Sequence, residues 1–314
     1  MKLSREIIII GGLPNPIGGV TTFLSRLVKA YPQFILAFID LYASDDKRIP
    51  HNYKGEYALV PNKILLIFNI FLLQFKYKGK EIFFNFSSGN SLVFFLLLPK
   101  FNNVWSLMLH HGHLESKLPK LLLRFILNKF DTIYTLNERQ AEFYKSIKPC
   151  YPLVEESSYV PAVLVDISDS EKLPLNKARD QNLKIIVGSG FPRPLYQHHI
   201  LIDLINKNQN TFLFLFLYGD GELKEELLNL NHSRVKVFLD KREDIFNFYL
   251  SEADIYVRPT LEDSFGIACA DSVEFGTTVI ASNVCKRYLG VNVFDLSNPT
   301  EIYNLFYKSL KENE

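Results

Sequence analysis

DIYVRPTLEDSFGIACADSVEFGTTVIAS, from Asp254 to Ser282, is the segment that decides the fold. A short apolar strand ends at Pro259, and an acidic turn that contains Gly266 follows it. Residues 267–275 have helical spacing, a glycine ends that helix, and residues 278–281 form a second strand. This order predicts a βαβ unit. In parallel sheets of such units, ligands bind at the carboxyl ends of strands and the amino ends of helices.

The turn carries two kinds of binding group. The backbone amides around Phe265 and Gly266 are expected to point out of the helix start, where they can bind a phosphate. Asp263 and Asp271 are acidic residues in a place where the amides and the helix dipole already favour anions. Carboxylates there suit sugar hydroxyl groups better than phosphate.

Strand and helix signals alternate on both sides of this segment, and they predict an α/β fold with two doubly wound parallel sheets. At 314 residues the chain is long enough for two domains. We expect the first domain at 1–165 and the second at 166–300, with the polar segment 166–181 as the linker. Residues 301–314 form a C-terminal helix, and packing of that helix back on the first domain is left open.

The charge is distributed unevenly, although the formal net charge is +1. Residues 1–165 contain 19 Lys and Arg against 12 Asp and Glu, a net +7, and residues 166–314 contain 16 against 22, a net −6. The basic residues are spread among Phe and Leu without a nucleic-acid motif, so we expect no nucleic-acid partner. An anionic membrane surface fits the basic half better.

Residues 117–130 form an amphipathic basic helix. It can dock on anionic lipid, or it is an ordinary surface helix packed on the sheet. Its basic residues are Lys117, Lys120, Arg124 and Lys129.

The remaining features indicate a cytoplasmic protein. Cys150, Cys269 and Cys285 show neither metal nor redox spacing, so we expect them to be reduced. Residues 1–6 contain charges and run directly into a strand, unlike a signal peptide. The most apolar run, 64–75, is well short of the roughly 20 residues that cross a bilayer.

Two loops of the first half are further candidates for ligand binding. Gly18 and Gly19 precede a predicted helix, so their backbone can approach a ligand, although a simple turn is an equal alternative. His110, His111 and His113 follow a strand, but adjacent residues there diverge and no carboxylate spacing accompanies them. We therefore expect no metal at this cluster.

Several landmarks of the second half occur in one order. They are Val187-Gly188, Gly219-Asp220-Gly221, Ala253-Asp254-Ile255, Pro259-Thr260, Phe265-Gly266, Gly276 and Val279-Ile280-Ala281-Ser282. Together they resemble the donor domain of retaining GT-B glycosyltransferases of family 4. The Gly18-Gly19-Val20 loop and the mid-domain histidine are also similar to that family, so the resemblance covers nearly the whole chain. It implies two Rossmann-like, doubly wound domains facing across a cleft, with the acceptor bound by the first and a nucleotide-sugar donor by the second.

The family's two glutamates, with Phe-Gly just after the first, fall on aspartates here. The register of Phe265-Gly266 places them at Asp263 and Asp271, and Glu262 can serve in place of Asp263. The resemblance implies that Asp263 accepts hydrogen bonds from sugar hydroxyls, that Phe265 and Gly266 approach sugar and phosphate, and that Asp271 holds the ribose. The alternatives are a helix N-cap for Asp263 and an exposed helix charge for Asp271.

The family's usual cations for the leaving diphosphate are displaced in this sequence. An arginine normally follows the glycine of the first donor-domain strand, which is Gly188 here, and Lys-Gly normally begins the next helix. Arg193, or a protonated His198, can supply the charge, or Arg193 is a solvated loop residue. His111 best matches the family's active-site histidine, which would position the acceptor. Gly19 and Gly188 are expected beside the donor, and neither metal nor another cofactor is expected.

These features predict a retaining glycosyltransferase that is cytoplasmic and peripheral at the inner face of the cell membrane. It would move a sugar from a nucleotide-sugar donor to a lipid-linked or saccharide acceptor. The family's commonest bacterial setting is surface polysaccharide biosynthesis, such as O-antigen of lipopolysaccharide, capsule or exopolysaccharide. One alternative is a non-catalytic GT-B-like subunit that binds a partner glycosyltransferase or a glycan, and the displaced cations are its best support. A nucleotide-sugar epimerase on the same architecture is another.

Overall fold

The computed structural model describes residues 3–14, 18–42, 49–50, 52–86, 89–110, 118–147, 154–156 and 159–312. The chain divides into two compact units, Met1–Val160 and Pro161–Glu314. The domain boundary predicted after residue 165 therefore lies a few residues beyond the boundary that the structure has after Val160.

The first unit is built on a parallel sheet. Its described strands are β1 (Ile7–Gly11), β2 (Ile35–Asp40), β3 (Glu56–Leu59), β4 (Glu81–Phe86), β5 (Val104–Leu109), β6 (Thr132–Thr135) and β7 (Val154–Glu156). They lie in the order β3-β2-β1-β4-β5-β6-β7, and the described pairs are parallel. The chain therefore runs to one edge and returns to the centre to build the other half, which is the doubly wound order.

Helices cover this sheet. They are α1 (Gly19–Ala30), α2 (Lys63–Lys76), α3 (Lys120–Leu127) and α4 (Glu138–Ile147), with 3-10 turns at Pro32–Phe34 and Gly89–Leu96. The central strand β1 is fully buried, which explains its continuous apolar run. Trp105 on β5 is also fully buried, and its ring contacts those of Phe84, Phe95 and Phe130.

The second unit repeats the architecture. Its described strands are β8 (Lys184–Gly190), β9 (Thr211–Leu217), β10 (Val235–Leu239), β11 (Ile255–Arg258), β12 (Thr278–Ser282) and β13 (Asn292–Phe294). They are parallel, in the order β10-β9-β8-β11-β12-β13. The helices are α5 (Asp169–Arg179), α6 (His198–Lys207), α7 (Lys224–Leu228), α8 (Glu243–Ser251), α9 (Ile267–Glu274) and α10 (Pro299–Glu312), with a 3-10 turn at Pro194–Tyr196. The predicted fold class, two doubly wound parallel α/β units, is confirmed.

Two apolar layers cover the two faces of the second sheet. Along β8, Ile185 and Val187 pack into one layer and Ile186 into the other, because successive strand residues point to opposite faces. The C-terminal helix α10 contributes Ile302 and Phe306 to the layer of Ile186. It therefore packs against β12 and β13 of its own unit.

The predicted linker is wrong. Residues 169–179 form α5, and its Leu175 and Ala178 are buried in the core of the second unit. Ser168 is the N-cap of this helix, and its amide donates to the Glu171 carboxylate at 3.1 Å in a capping box. Among the described residues, no helix is both long and apolar enough to cross a membrane.

Candidate active site

The predicted ligand turn begins at the carboxyl end of β11. Ile255, Tyr256 and Val257 are fully buried, and Arg258 is the last residue of the strand. β11 lies beside β8, and the direction of winding reverses between them, since β8 leads outward to β9 and β11 leads the other way to β12. Arg258 therefore lies at the topological switch point, where doubly wound sheets bind ligands.

Hydrogen bonds fix the turn that follows. The Thr260 hydroxyl donates to the carbonyl oxygen of Glu262 at 2.7 Å, and the Leu261 amide donates to the carbonyl oxygen of Leu195 at 2.9 Å. Ser282, at the end of β12, donates its hydroxyl to the carbonyl oxygen of Thr260 at 2.6 Å. The turn is thus tied to the end of a neighbouring strand and to the loop that follows β8.

Asp263 in this turn binds two arginines. Its Oδ2 accepts from Arg258 Nε at 2.5 Å and from Arg287 Nη1 at 2.7 Å. Arg287 also donates to the carbonyl oxygen of Ser282 at 2.9 Å and to its hydroxyl at 3.2 Å. The side chains of Arg258, Asp263 and Arg287 are 13%, 9% and 2% exposed. These three residues are called the arginine cluster below.

The arginine cluster carries one net positive charge. Burial would raise the pKa of Asp263, but Arg258 and Arg287 outweigh it and lower the pKa from 3.8 to about 2. Burial likewise opposes the charge of Arg258, yet Asp263 holds the pKa of that guanidinium well above its ordinary value. Burial raises the pKa of the neighbouring Cys269 and Cys285 thiols to about 11, so both are neutral at pH 7. Two positive charges therefore face one carboxylate.

Gly266 brings the start of α9 against this cluster. It is the N-cap of the helix with φ +79°, a left-handed conformation that favours glycine. A Cβ added there would lie 2.6 Å from Arg287 Nη1 and 3.0 Å from Asp263 Oδ2. The glycine thus allows the positive end of the helix dipole to lie beside the arginine cluster.

Residues 169–291, most of the second unit, match the family model described as glycosyl transferases group 1. This match confirms the expected enzyme class, a glycosyltransferase. Assignment to family 4 stays a prediction.

Solved structures share the architecture over nearly the whole chain. HepE of Anabaena, crystallised with UDP-glucose, has a TM-score of 0.71 at 15% identity, covering 98% of this chain and 90% of that one. Sucrose-phosphate synthase of Thermosynechococcus elongatus has a TM-score of 0.68 at 16% identity, with the same coverage of 98% and 90%. WaaG, a glycosyltransferase involved in lipopolysaccharide biosynthesis, has a TM-score of 0.64 at 14% identity, covering 97% and 90%. At these identities the likeness establishes the fold, which confirms GT-B.

A comparison with curated protein sequences finds no match for this chain.

The structure brings Asp263, Phe265 and Gly266 together, but Asp263 faces the arginines. Because Gly266 is the N-cap of α9, the alternative that Asp263 caps this helix is wrong. Asp263 Oδ1 accepts from the Ser264 amide at 3.1 Å. Both carboxylate oxygens are therefore bound by protein donors, which leaves little capacity for the predicted bonds to sugar hydroxyls.

The other two acidic candidates, Asp271 and Glu262, are both partly or fully buried. Asp271, on α9, is 1% exposed, so the alternative of an exposed helix charge is wrong. Glu262 is partly buried in the turn, where its carbonyl oxygen binds Thr260.

His198 does not fit the predicted role as a cation. It begins α6, is 1% exposed, and its Nε2 donates to the carbonyl oxygen of Phe191 at 2.8 Å. Burial lowers its pKa to about 4, so the ring is neutral at pH 7. The Tyr196 ring stacks on the imidazole of His198, with 6.0 Å between the two ring centres. His198 therefore stabilises the loop between β8 and α6.

The described contacts of Arg193 and Gly188 are with residues outside the arginine cluster. The exposed Arg193 donates from Nε to the carbonyl oxygen of Asp220 at 3.3 Å, and its guanidinium lies 5.5 Å from the Phe191 ring centre. The described hydrogen bond and ring contact of Arg193 are thus outside the arginine cluster. A Cβ on Gly188 would lie 2.5 Å from Leu201 Cδ1, so this glycine permits α6 to pack closely on β8.

The candidates of the first unit are described in part. Gly19 is the first residue of α1. His110 follows β5, its Nε2 lies 3.2 Å from Asn85 Oδ1, and burial lowers its pKa to about 3. His111 and His113 lie outside the described residues. Within the described part of the chain, no group of three or more His, Cys, Asp or Glu side chains is placed to hold a metal ion.

Sequence reasoning missed Arg258 and Arg287. A signal for Arg258 was present, because a charged residue that ends an otherwise apolar parallel strand lies at the ligand-binding edge of the sheet. Arg287 follows β12 in an irregular segment, and nothing in its local sequence indicates that it returns to Asp263.

Proposed function

We propose that this protein is a retaining glycosyltransferase that moves a sugar from a nucleotide-sugar donor to a lipid-linked or saccharide acceptor. The observation that carries the proposal is the buried positive charge at the amino end of α9, within the segment that matches the family model. The departing diphosphate is an anion, so a transferase needs positive charge where it leaves. The UDP-glucose complex of HepE, which has the same fold, supports a nucleotide sugar as the donor.

In the proposed reaction, the bond between the anomeric carbon and the diphosphate oxygen breaks, and its electron pair stays on the diphosphate. The acceptor oxygen bonds to the same face of the anomeric carbon, and its proton passes to the released phosphate oxygen. The chain supplies positioning and charge rather than a base, in keeping with the role expected for His111. Retention follows from the family resemblance, and side-chain cations supply the charge.

The proposed setting is the cytoplasmic face of the cell membrane, in bacterial surface polysaccharide biosynthesis. The shared fold of WaaG, which is involved in lipopolysaccharide biosynthesis, supports such a setting.

An apolar surface of the first unit supports docking on anionic lipid. α2 exposes Ile64 (78%), Phe68 and Phe75, and α3 exposes Leu121 (83%) and Phe125. Both helices pack into one core layer and therefore lie on the same face of the sheet. Neither contains an acidic residue, and each begins with a lysine. Apolar side chains with basic neighbours bind anionic membrane surfaces. This set is called the α2–α3 surface.

Lys129, one of the basic residues of the predicted helix, binds within the protein. Lys129 Nζ donates to the carbonyl oxygens of Phe95 at 2.6 Å and Leu98 at 2.9 Å, and burial lowers its pKa. Lys129 therefore joins the end of α3 to the neighbouring segment. Lys117 lies outside the described residues, so Lys120 and Arg124 are the described basic candidates on α3.

Incubation of the full chain with a panel of nucleotide sugars and candidate acceptors tests the proposal. We expect one donor to release its nucleoside diphosphate, and the product to keep the anomeric configuration of the donor by NMR. Failure to bind or turn over any donor would refute the proposal and favour the non-catalytic subunit. That alternative was motivated by displaced cations, whereas Arg287 lies beside Gly266 and Arg258 binds the same Asp263 carboxylate as Arg287.

A further inference from the structure

We propose that Arg258 and Arg287 bind the diphosphate of the donor, and that Asp263 is a positioning residue that holds both arginines. This inference rests on the proposed function and names the side chains that perform it. It replaces the sugar-binding role that the family resemblance implies for Asp263. It also replaces Arg193 and His198 as the source of charge.

The charge balance of the arginine cluster is the first support. Asp263 raises the pKa of Arg287 and Arg258 lowers it, and the two thiols that also act on it are neutral at pH 7. Buried charges without an equal number of opposite charges are costly to the folded state. An anionic ligand offsets the excess positive charge, and a diphosphate has the charge and the oxygens to do so.

The position of Arg258 is the second support. Its Nη1 lies 3.5 Å from the carbonyl oxygen of Ser189 in β8, so the side chain connects the two strands that flank the switch point. Its guanidinium also lies 5.6 Å from the Tyr196 ring centre. A planar guanidinium held on several sides is preorganised to bind phosphate oxygens in pairs.

Arg287, which binds the same oxygen of Asp263 as Arg258, is also held by several contacts. Ser282 binds its Nε through the carbonyl oxygen and its Nη2 through the hydroxyl. Its Nη1 lies between Asp263 and the start of α9, where backbone amides and the helix dipole also favour an anion.

The hydrogen bonds of Asp263 are the third support. A carboxylate oxygen has two lone pairs, and both bonds from the arginines go to Oδ2. Oδ1 accepts from Ser264. The carboxylate is thus engaged in orienting the two guanidinium groups.

Calorimetric titration of the full chain with inorganic pyrophosphate tests the anion site. We expect Arg258→Gln and Arg287→Gln each to weaken binding about 10- to 100-fold, since each removes charge-assisted hydrogen bonds. Arg179→Gln is the matched control, because Arg179 pairs with Glu252 on the surface, and it should leave the affinity unchanged. Unchanged affinity in both cluster variants, or a larger loss in Arg193→Gln, would overturn the inference.

Asp263→Asn tests the positioning role. Removal of the carboxylate leaves two uncompensated arginines, so we expect pyrophosphate to bind more tightly at low salt while kcat for sugar transfer falls. Asp263→Glu, which keeps the charge, should restore part of kcat. If Asp263→Asn instead leaves pyrophosphate binding unchanged and weakens the nucleotide sugar relative to its nucleoside diphosphate, the residue contacts the sugar and the inference is wrong. Circular dichroism verifies folding, and Asp263→Glu carries the same comparison if Asp263→Asn does not fold.

Failure of the inference differs from failure of the proposed function. Pyrophosphate binding that depends on both arginines, without transfer from any donor, would refute the function and keep the anion site. Donor turnover with unchanged KM and kcat in Arg258→Gln and Arg287→Gln would refute the inference and keep the function. Absence of pyrophosphate binding by the wild type would also refute the inference.

Discussion

Arg287 Nη1 lies 2.6 Å from the position that a Cβ on Gly266 would occupy. A side chain at residue 266 and the present position of this guanidinium therefore exclude one another, because closely packed atoms leave no room for both. The position of Arg287 is coupled in this way to the backbone at the start of α9.

Gly266→Ala should weaken pyrophosphate binding about tenfold or more, because the guanidinium of Arg287 must move away from the start of α9. Gly276→Ala is the matched control. Gly276 also has a positive φ, +84° against +79°, but a Cβ there would meet no atom within 4 Å. In both variants the free energy of unfolding should fall by on the order of 1 kcal/mol, because alanine is strained in a left-handed backbone conformation. An equal loss of pyrophosphate affinity in both variants would contradict the coupling.

Protonation of Asp263 at low pH should lower the free energy of unfolding of the second unit. The pKa of this carboxyl is lowered from 3.8 to about 2, so the ionised group stabilises the folded state above pH 4. That contribution is lost as pH falls from about 4 to about 2. Asp263→Asn should lower the free energy of unfolding by about 3 kcal/mol at neutral pH. Urea unfolding followed by circular dichroism measures the difference, and a difference that stays constant down to pH 2 would be evidence against the ion pairs.

Protonation of His198 in mild acid should also lower the free energy of unfolding of the second unit. Its pKa is lowered from 6.5 to about 4, so the unfolded chain binds the proton first. Stability from neutral His198 is present above pH 6.5 and declines as pH falls toward 4. His198→Gln should be less stable at pH 7, and its deficit should shrink by up to about 3 kcal/mol at pH 4. A deficit that is equal at both pH values would show that His198 is not a buried neutral group.

Docking on lipid should depend on the α2–α3 surface. Leu121→Gln should reduce flotation of the full chain with phosphatidylglycerol vesicles by roughly tenfold in affinity, the equivalent of burying one leucine. Leu289→Gln is the matched control, since Leu289 is 90% exposed in the second unit. Vesicles of phosphatidylcholine test the need for anionic lipid. Equal flotation of both variants would remove the α2–α3 surface as the docking site.

Two lysines near α3 should behave differently. Lys120→Gln should lower vesicle affinity about fivefold, since a lysine near an anionic surface contributes about 1 kcal/mol. Lys129→Gln should lower the free energy of unfolding by about 1 to 3 kcal/mol, because two backbone carbonyls lose their donor. Flotation and urea unfolding of both variants measure the contrast. Reduced flotation in a fully stable Lys129→Gln variant would place this side chain at the lipid.

The strand and turn positions were predictable because local sequence determines them. The four consecutive isoleucines of β1 can only be buried on both faces of a sheet, and Gly266 marks the start of α9 directly. The helix α5 was not predictable in this way, because its polar residues outnumber the two that it buries, Leu175 and Ala178. β13 is short and buries Phe294 only, which gives no strand pattern to detect.

The arginine cluster shows why the site was only partly predictable. Arg258 and Asp263 are five residues apart, so their pairing follows from the local turn. Arg287 lies 24 residues beyond Asp263, and the chain must complete α9 and β12 before it returns. No spacing rule in the sequence expresses that return. The family resemblance pointed to this turn and implies a sugar-binding role for Asp263, whereas the carboxylate binds two arginines in the structure.

The burial of Trp105 in the first unit has an optical consequence. It is the single tryptophan of the chain, so emission excited at 295 nm, where tyrosine absorbs little, comes from the first unit. Ligand bound at the arginine cluster of the second unit has no tryptophan of its own to perturb. Any change of this emission when a nucleotide sugar is added would therefore be a label-free sign that the two units communicate.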